Sequence, residues 1–309
     1  MPIKIFSPAT ISNLGPGFDL LGLAIHGLGD IVIAEKIAGN EIEFISDPKY
    51  PKLPSNQNNV VLHVANLVRN AYKSKEGMRI TLQKNIPLSS GLGGSGASSA
   101  ASAFAVNELL GQRFSRHALL QFALEGERLA SGSAHADNVA PALLGGLCLM
   151  SIENEILRDV IQLPVKDNFF WSVVHPHCES ETRAMRDLLP KNISLSEHTM
   201  QCSYFGLLLS GFLTGHPDWI KWGLHDHLIE PKRAQFIPGF SAVREAALTA
   251  GALGFSISGS GPSVFAVSDN QKMAENVGLA MQHAFLAHAN LQSELFVSKI
   301  NFTGTSRLE

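Results

Sequence analysis

No Gly-Lys pair occurs anywhere in this chain of 309 residues. That absence removes the P-loop, whose lysine directly follows a glycine and reaches the nucleotide phosphates. The protein-kinase set Val-Ala-Ile-Lys, His-Arg-Asp and Asp-Phe-Gly is missing too. Positive charge is not in excess, since 24 Lys and Arg face 27 Asp and Glu for a formal net charge of −3. Without a basic footprint, nucleic acid is not expected as a partner. Cysteine is scarce, and Cys148, Cys178 and Cys202 are scattered, odd in number and without a Cys-x-x-Cys. They read as buried, inert thiols in a reducing compartment. No apolar run reaches membrane-spanning length, so no membrane partner is expected. Met1 to Ile11 carries a single lysine and no long apolar core, unlike a signal peptide. A cytoplasmic location is the expectation.

What the chain has is size, an apolar content of 45% and one unusual glycine cluster. The length suffices for two domains with a sizeable core. Four glycines fall within six residues in Pro87-Leu88-Ser89-Ser90-Gly91-Leu92-Gly93-Gly94-Ser95-Gly96-Ala97. The cluster follows a strand-like run from Met78 to Leu82 and precedes a small-residue helix expected from about Ala97 to Leu110. Glycine lets backbone N–H groups approach a ligand with no Cβ in the way. A helix start adds unpaired N–H groups and the positive end of its dipole. Together they predict an anion cradle suited to nucleotide phosphates. Gly91, Gly93 and Gly96 also spell the dinucleotide pattern G-x-G-x-x-G. Asn85 to Ser90 separate the strand from the first glycine, however, and no acid ends a second strand nearby, so that fit is poor.

Taken in order, Ile3 to Ser7 reads as a strand ending at Pro8. Ala9 to Asp19 is turn-rich and carries Asn13 and Asp19, polar groups placed to meet a ligand. Leu20 to Ile25 is an apolar run, and Asp30 to Ala34 and Glu41 to Ser46 alternate as half-buried strands. A Pro- and Asn-rich loop then leads to a helix over Val60 to Ala71 with Asn59 at its N-cap. Ser115 caps a helix running to about Ala130, stopped by Gly132. On it, Glu127 shares a face with Leu120, Ala123 and Leu124, which turns a carboxylate inward. A buried carboxylate needs a cation. Either Arg128 or Lys84 pairs with it, or it is a ligand for magnesium, which takes oxygen donors from one or two side chains. His135, Asp137 and Asn138 follow within four residues, before a strand from Leu143 to Ile152.

Pro164 to Asn168 reads as the domain boundary, dividing the chain into 1–165 and 166–309. Beyond it come a strand (Phe169 to His175), a short helix (Thr182 to Leu189, with Arg183 and Arg186) and helical runs at Ser203 to Leu213 and Asp218 to Ile229. Glu230 to Arg233, a helix at Phe240 to Ala250, and a strand, glycine turn and strand over Gly254 to Val267 follow. A helix at Lys272 to His288 and a strand at Leu295 to Ile300 end the series. This alternation suggests a ferredoxin-like lobe, and the fold class is α+β.

Pro-x-x-x-Gly-Leu-Gly-x-Ser at Pro87 to Ser95 resembles the phosphate loop of the GHMP kinases, the superfamily of galactokinase, homoserine kinase, mevalonate kinase and phosphomevalonate kinase. Ser12-Asn13-Leu14-Gly15-Pro16-Gly17-Phe18-Asp19 and His135-Ala136-Asp137-Asn138-Val139-Ala140-Pro141 resemble the homoserine kinase family within it. The turn from Ser258 to Ser263 is similar to a third GHMP motif, whose backbone folds over the first. The resemblance runs from Ser7 to Ala266. One departure is visible, because Gly94 stands where the family usually has a first serine.

The resemblance implies a two-lobed GHMP-like fold, with an N-terminal mixed α/β ATP-binding lobe and a ferredoxin-like C-terminal lobe. It implies ATP and Mg²⁺ as cofactors and transfer of a phosphoryl group to the hydroxyl of L-homoserine, giving O-phospho-L-homoserine. Pro87 to Ala97 would hold the nucleotide, with Asn59 beside the adenine. Ser95 and Glu127 would hold the metal, and Asn13, Asp19, His135, Asn138, Arg186 and Arg233 the amino acid. Asp137, Asn138 and Glu127 are the implied catalytic residues. In mevalonate kinases the aspartate matching Asp137 pairs with a lysine and serves as base, but Thr10 takes the lysine's place here. The residues leave two routes open, Asp137 as general base or a base-free transfer in which Asn138 orients the hydroxyl, and the missing lysine favours the second. Another GHMP small-molecule kinase and a catalytically inactive nucleotide-binding regulator are the alternatives. Whether the chain forms a homodimer stays open.

Overall fold

The computed structural model describes residues 2–50, 53–54, 56, 58–154, 156–178, 189–190 and 192–309. A seven-stranded sheet is built from β1 (Ile3–Ser12), β2 (Leu21–Ile37), β3 (Ile42–Ile45), β4 (Gly77–Gln83), β5 (Leu147–Glu153), β6 (Ile156–Leu163) and β11 (Ser306–Leu308). Its order is β11-β1-β2-β4-β3, and β5 leaves β2 at the other end and pairs with β6. Only β3 and β4 run parallel. β2 is one long strand rather than two, so it can pair with β1, β4 and β5 along different parts of its length.

β1 does not stop at Pro8. Its pairing with β2 shifts register between Pro8 and Thr10 and continues to Ser12 opposite Gly22. Proline has no N–H for the ladder, and a bulge absorbs it without ending the strand. Thr10 and Ser12 therefore sit on a strand, not in a loop.

Of helices α1 (Val60–Ala71), α2 (Gly94–Leu109), α3 (Arg116–Ser131) and α4 (Ala136–Leu144), α1, α2 and α4 pack on this sheet, and α3 packs on the other three helices. α2 is buried almost all round, which its small side chains allow. A Cβ on Gly126 of α3 would stand 2.3 Å from Ser99 Oγ of α2, so the two helices meet backbone to side chain. α4 was not expected, and it contains Pro141. Proline removes the helical bond to the carbonyl four residues back, here that of Asp137. That carbonyl instead lies against Gly22 of β2, where a Cβ would come within 1.7 Å of it.

The second sheet takes β7 (Phe170–Pro176), β8 (Gly254–Ile257), β9 (Val264–Ser268) and β10 (Ser293–Ser298) in the order β10-β7-β9-β8, antiparallel throughout. That is the split β-α-β order of a ferredoxin-like lobe. Helices α8 (Phe240–Thr249) and α9 (Gln271–Ala289) cover one face, where Val174, Phe255, Ile257, Val264 and Ala266 meet Val243, Val277, Met281 and Phe285. The opposite face, with Trp171, Val173, Phe265 and Val267, joins the core of the first sheet through Leu208, Phe212 and Ile220. The alternation along β7 and β9 thus splits two apolar faces between two cores.

α5 (Leu195–Thr214) starts earlier than its apolar run, at a capping box between Ser194 and Glu197. The helical run expected to Ile229 ends at Gly223 (α6, Pro217–Gly223) and resumes as the short α7 (Glu230–Arg233). The helix expected at Thr182 to Leu189, with Arg183 and Arg186, falls on residues 182–188 outside the described ones. After β10 the chain returns to the first sheet, where Ile300 bridges Ile25 and β11 pairs with β1. Among the described residues, no helix is long and apolar enough to cross a membrane. Of the three free cysteines, Cys148 is buried with its thiol pushed up to about 12 by burial, whereas Cys202 is exposed.

Candidate active site

The glycine loop lies where the two sheets meet. Ile86 and Leu92 are fully buried and pin its two sides, while Leu88 and Ser89 face outward. Its backbone is held by others: Thr10 N–H donates to Leu92 O at 3.1 Å, Ser263 N–H to Ser90 O at 3.1 Å and the Ser258 hydroxyl to Gly91 O at 2.7 Å. The last two come from the glycine turn between β8 and β9, so that turn does fold over the loop. Gly91 and Gly93 both have positive φ, +79° and +67°. A Cβ at 91 would meet Ser258 O at 2.5 Å, and one at 93 would meet Thr10 Oγ1 at 1.9 Å.

α2 begins at Gly94, three residues before the expected start, with Gly93 as an N-cap that offers no side-chain bond. No cap side chain therefore screens the first-turn amides of Gly94, Ser95 and Gly96, which is what an anion site requires. A side chain at 94 would stand 2.8 Å from Lys84 Nζ, a physical reason for glycine there.

Beside that helix start, the Ser95 hydroxyl donates to Glu127 Oε2 at 2.6 Å. Glu127 is 4% exposed, and His135 Nδ1 lies 3.2 Å from its other oxygen. Neither expected ion pair forms, because Lys84 pairs with Asp30 and Arg128 with Glu125. Two oxygen donors beside uncapped amides match how Mg²⁺ is usually held, by one or two side chains with phosphates and waters completing the shell. The donor set thus fits the ion, although the described residues hold no cluster of three or more ligating side chains.

Asp137 and Asn138 open α4 on the other side of the loop. The Thr10 hydroxyl donates to Asn138 Oδ1 at 2.9 Å, and Asn138 Nδ2 donates to Ser12 Oγ at 3.1 Å. Asn138 is thus clamped to β1 at both ends. Asp137 is 3% exposed. Burial chiefly, then the Asp19 carboxylate, push it from 3.8 to about 7, with His135 pulling it down, Glu127 adding a smaller push and a Ser12 hydrogen bond lowering it least.

The remaining corner is built by the turn after β1. Asn13, Leu14 and Asp19 have positive φ, and the Asn13 carboxamide accepts from Asp19 N–H at 3.1 Å while donating to Gly259 O at 3.0 Å. Arg233 Nη1 donates to the same Gly259 carbonyl at 2.7 Å, and its guanidinium lies 5.3 Å from the centre of the Phe18 ring. Asn13, Phe18 and Arg233 are thereby brought together from both lobes. Asn59 is not with them. Its oxygen accepts from Val61 N–H at 2.9 Å and Leu62 N–H at 3.4 Å, and its nitrogen donates to Pro54 O at 2.8 Å, so the buried carboxamide is spent on capping. Arg186 lies outside the described residues.

Two family models match the chain, GHMP kinases N terminal domain over residues 59–146 and GHMP kinases C terminal over residues 208–287. Homoserine kinase of Chlorobaculum tepidum is 45% identical across 96% of this chain and 94% of the relative. That of Xanthomonas campestris is 38% identical across 96% and 91%. The crystal structure of homoserine kinase from Cytophaga hutchinsonii matches with a TM-score of 0.95 at 42% identity, over 99% and 97% of the two chains. The chain belongs to the homoserine kinase family of the GHMP kinases. L. major mevalonate kinase, at a TM-score of 0.71 and 14% identity, shares the fold.

Residue reading alone missed several groups that shape this kinase's site. Gly22 lets the Asp137 backbone reach β2, and Ser12 holds Asn138. Asp30 and Ser98 are buried beside the loop with no exposure above 1%. Asp30 carried a signal, an acid at the head of the apolar run Ile31 to Ala34, while Gly22 carried none.

The position of Asp137 has a consequence for stability. A carboxyl raised on folding keeps its proton in the native state where the unfolded chain has lost it. Its stabilisation is therefore full below the ordinary carboxylate range and is lost as pH rises through about 7. Asp137→Asn removes that titration. Urea denaturation at pH 5 to 8 should show the variant gaining on the wild type as pH rises, with a slope of up to ~1.4 kcal/mol per pH unit. Parallel curves would mean that Asp137 is an ordinary carboxylate.

Proposed function

We propose that this kinase transfers the γ-phosphoryl group of ATP to the side-chain hydroxyl of L-homoserine, giving O-phospho-L-homoserine and ADP, a step of threonine synthesis. The observation that carries the reading is the convergence on one loop. Uncapped amides with Ser95 and Glu127 follow Gly93 directly. Next to them stand Asn13 and Arg233, gathered on the Gly259 carbonyl, with Asn138 against Gly93. Phosphate would lie at the amides and the amino acid in the corner.

Phosphoryl transfer depends mainly on position and on charge neutralisation. The first-turn amides of α2 and its dipole bind the phosphates. Magnesium, when bound, neutralises phosphate charge, and Ser95 and Glu127 are the residues that would hold it. Arg233, fixed by Gly259 O and the Phe18 ring, takes the substrate carboxylate, for which a planar guanidinium is the matching partner. Arg186 joins it on the family resemblance. His135, through Nδ1, orients Glu127. Asn138 is engaged at both ends by Thr10 and Ser12, which favours a role in holding the start of α4 against β1. Asp137, raised to about 7, is then the group that accepts the hydroxyl proton, since a base works best near the operating pH. Burial supports this reading over the base-free route, because burial is the chief cause that raises the carboxyl, with no lysine among its described partners.

Three measurements test the scheme. Wild-type protein with ATP, Mg²⁺ and L-homoserine should release ADP in a coupled assay, and Arg233→Ala should raise KM for homoserine at least ~10-fold while KM for ATP stays within about threefold. Absence of homoserine-dependent turnover in the wild type would favour the inactive regulator. Glu127→Gln keeps shape but not charge and should lower kcat ~10²-fold or more; unchanged kcat at saturating Mg²⁺ removes Glu127 from the metal. The wild-type pH–kcat profile should fall on the acid side near pH 7, and Asp137→Asn should lose that limb along with ~10²–10⁴-fold in kcat. Persistence of the limb returns the choice to base-free transfer.

A further inference from the structure

Asp30 lies on β2, away from the corner where the amino acid would bind, and is fully buried together with Lys84, which is 4% exposed. One carboxylate oxygen accepts the backbone N–H groups of Asn85 and Ile86, each at 3.0 Å. These residues begin the phosphate loop. The other oxygen meets Lys84 Nζ and accepts from the Ser98 hydroxyl at 2.6 Å. Lys84 Nζ in turn donates to Gly94 O at 2.9 Å and reaches Ser98 Oγ at 3.3 Å. Gly94 and Ser98 form the first turn of α2, the far end of the same loop.

We propose that Asp30 is the positioning residue of the phosphate loop, its carboxylate tying both ends of the loop, Asn85-Ile86 and Gly94-Ser98, to one buried point through Lys84. The inference rests on the phosphate-binding role given to the loop above. Net stability is a poor explanation for such a pair, because desolvation offsets most of its attraction. What the carboxylate does supply is geometry. Four groups from two ends of one loop share two oxygen atoms, so the strand end and the helix start cannot move apart independently. The amides that meet an anion are thereby aligned before it arrives, which spares the ligand that ordering cost. Gly94 belongs to the same device, since a Cβ there would crowd Lys84 Nζ at 2.8 Å.

The test uses the full chain and ATP with Mg²⁺ as the probe, in equilibrium titrations and steady-state assays. Asp30→Asn keeps an acceptor for the two amides but turns an N–H group toward the ammonium. It should weaken ATP binding at least ~10-fold, while KM for homoserine moves less than about threefold. Amide hydrogen exchange at Asn85 and Ile86 should rise in the same variant. Lys84→Met leaves a buried carboxylate without its cation and should lower Tm sharply. Asp30→Asn/Lys84→Met removes that unpaired charge, so it should recover Tm yet keep the weakened ATP affinity. Recovery of Tm and ATP affinity together would overturn the proposal. So would equal KM changes for both substrates, or loss of cooperative folding in all three variants, which would make the pair a folding determinant. Failure of the wild type to bind ATP is a separate outcome, and it removes the phosphate-binding reading of the loop.

Discussion

The structure depends on one close approach, that of the backbone at Ser90 to Gly93 to two other stretches of backbone. β1 bonds it through Thr10 N–H, and the turn after β8 bonds it through Ser258 and Ser263. The same turn is bonded to β1, where Gly259 N–H donates to Ser12 O at 3.2 Å. Three segments from both lobes thus close a ring of main-chain contacts. No side chain other than hydrogen fits at Gly91 or Gly93, because the nearest atoms are backbone or a tightly held hydroxyl. This ring places the start of α2 at the junction of the two sheets, and every candidate ligand group is measured from there.

Around that ring the buried acids are treated in opposite ways. Asp30 is given a cation, two amides and a hydroxyl. Asp137 has no lysine partner among the described residues and sits near two further carboxylates, which with burial raise it to about 7. Glu230, the first residue of the short helix that ends in Arg233, is also lifted to about 7 by burial, and the Ser256 hydroxyl donates to it at 2.5 Å. That bond joins α7 to β8, just before the turn whose Gly259 carbonyl receives Arg233. A single short segment therefore couples the guanidinium to the second sheet. Charges that hold backbone in place are compensated, and the one nearest the proposed chemistry is left adjustable.

Much of this was legible from residues alone because the determinants were local. The glycine cluster, the Asn59 and Ser115 caps, the inward face of α3 at Glu127 and the stop at Gly132 each need only neighbours in sequence. The errors share a cause as well. Pro8 was read as an end, yet it sits in a bulge, and the helix through Pro141 was not expected, its freed carbonyl packing on Gly22, a partner far away in the chain. β6 and β11 were not anticipated, since each pairs with a strand whose position is known only after folding. The start of α5 was placed too late, because its first turns are polar and exposed and rely on a capping box instead of burial.

The chain by itself determined the chemistry available: a helix start without a capping side chain, an inward glutamate, a carboxylate beside a carboxamide, and arginines suited to a carboxylate. It determined the family too, since the ordered motifs are words of residues and survive without coordinates. Only the tertiary structure decided which partners those groups meet. It paired Lys84 with Asp30 rather than Glu127, bonded Asn138 to Thr10 and Ser12, and made Asn59 the cap of α1. It also raised Asp137 by burial and by the carboxylates folded beside it. The reason is physical. Hydrogen-bond partners and desolvation depend on distances across the fold, and these do not exist until β1, β2 and the turn after β8 have closed on the glycine loop.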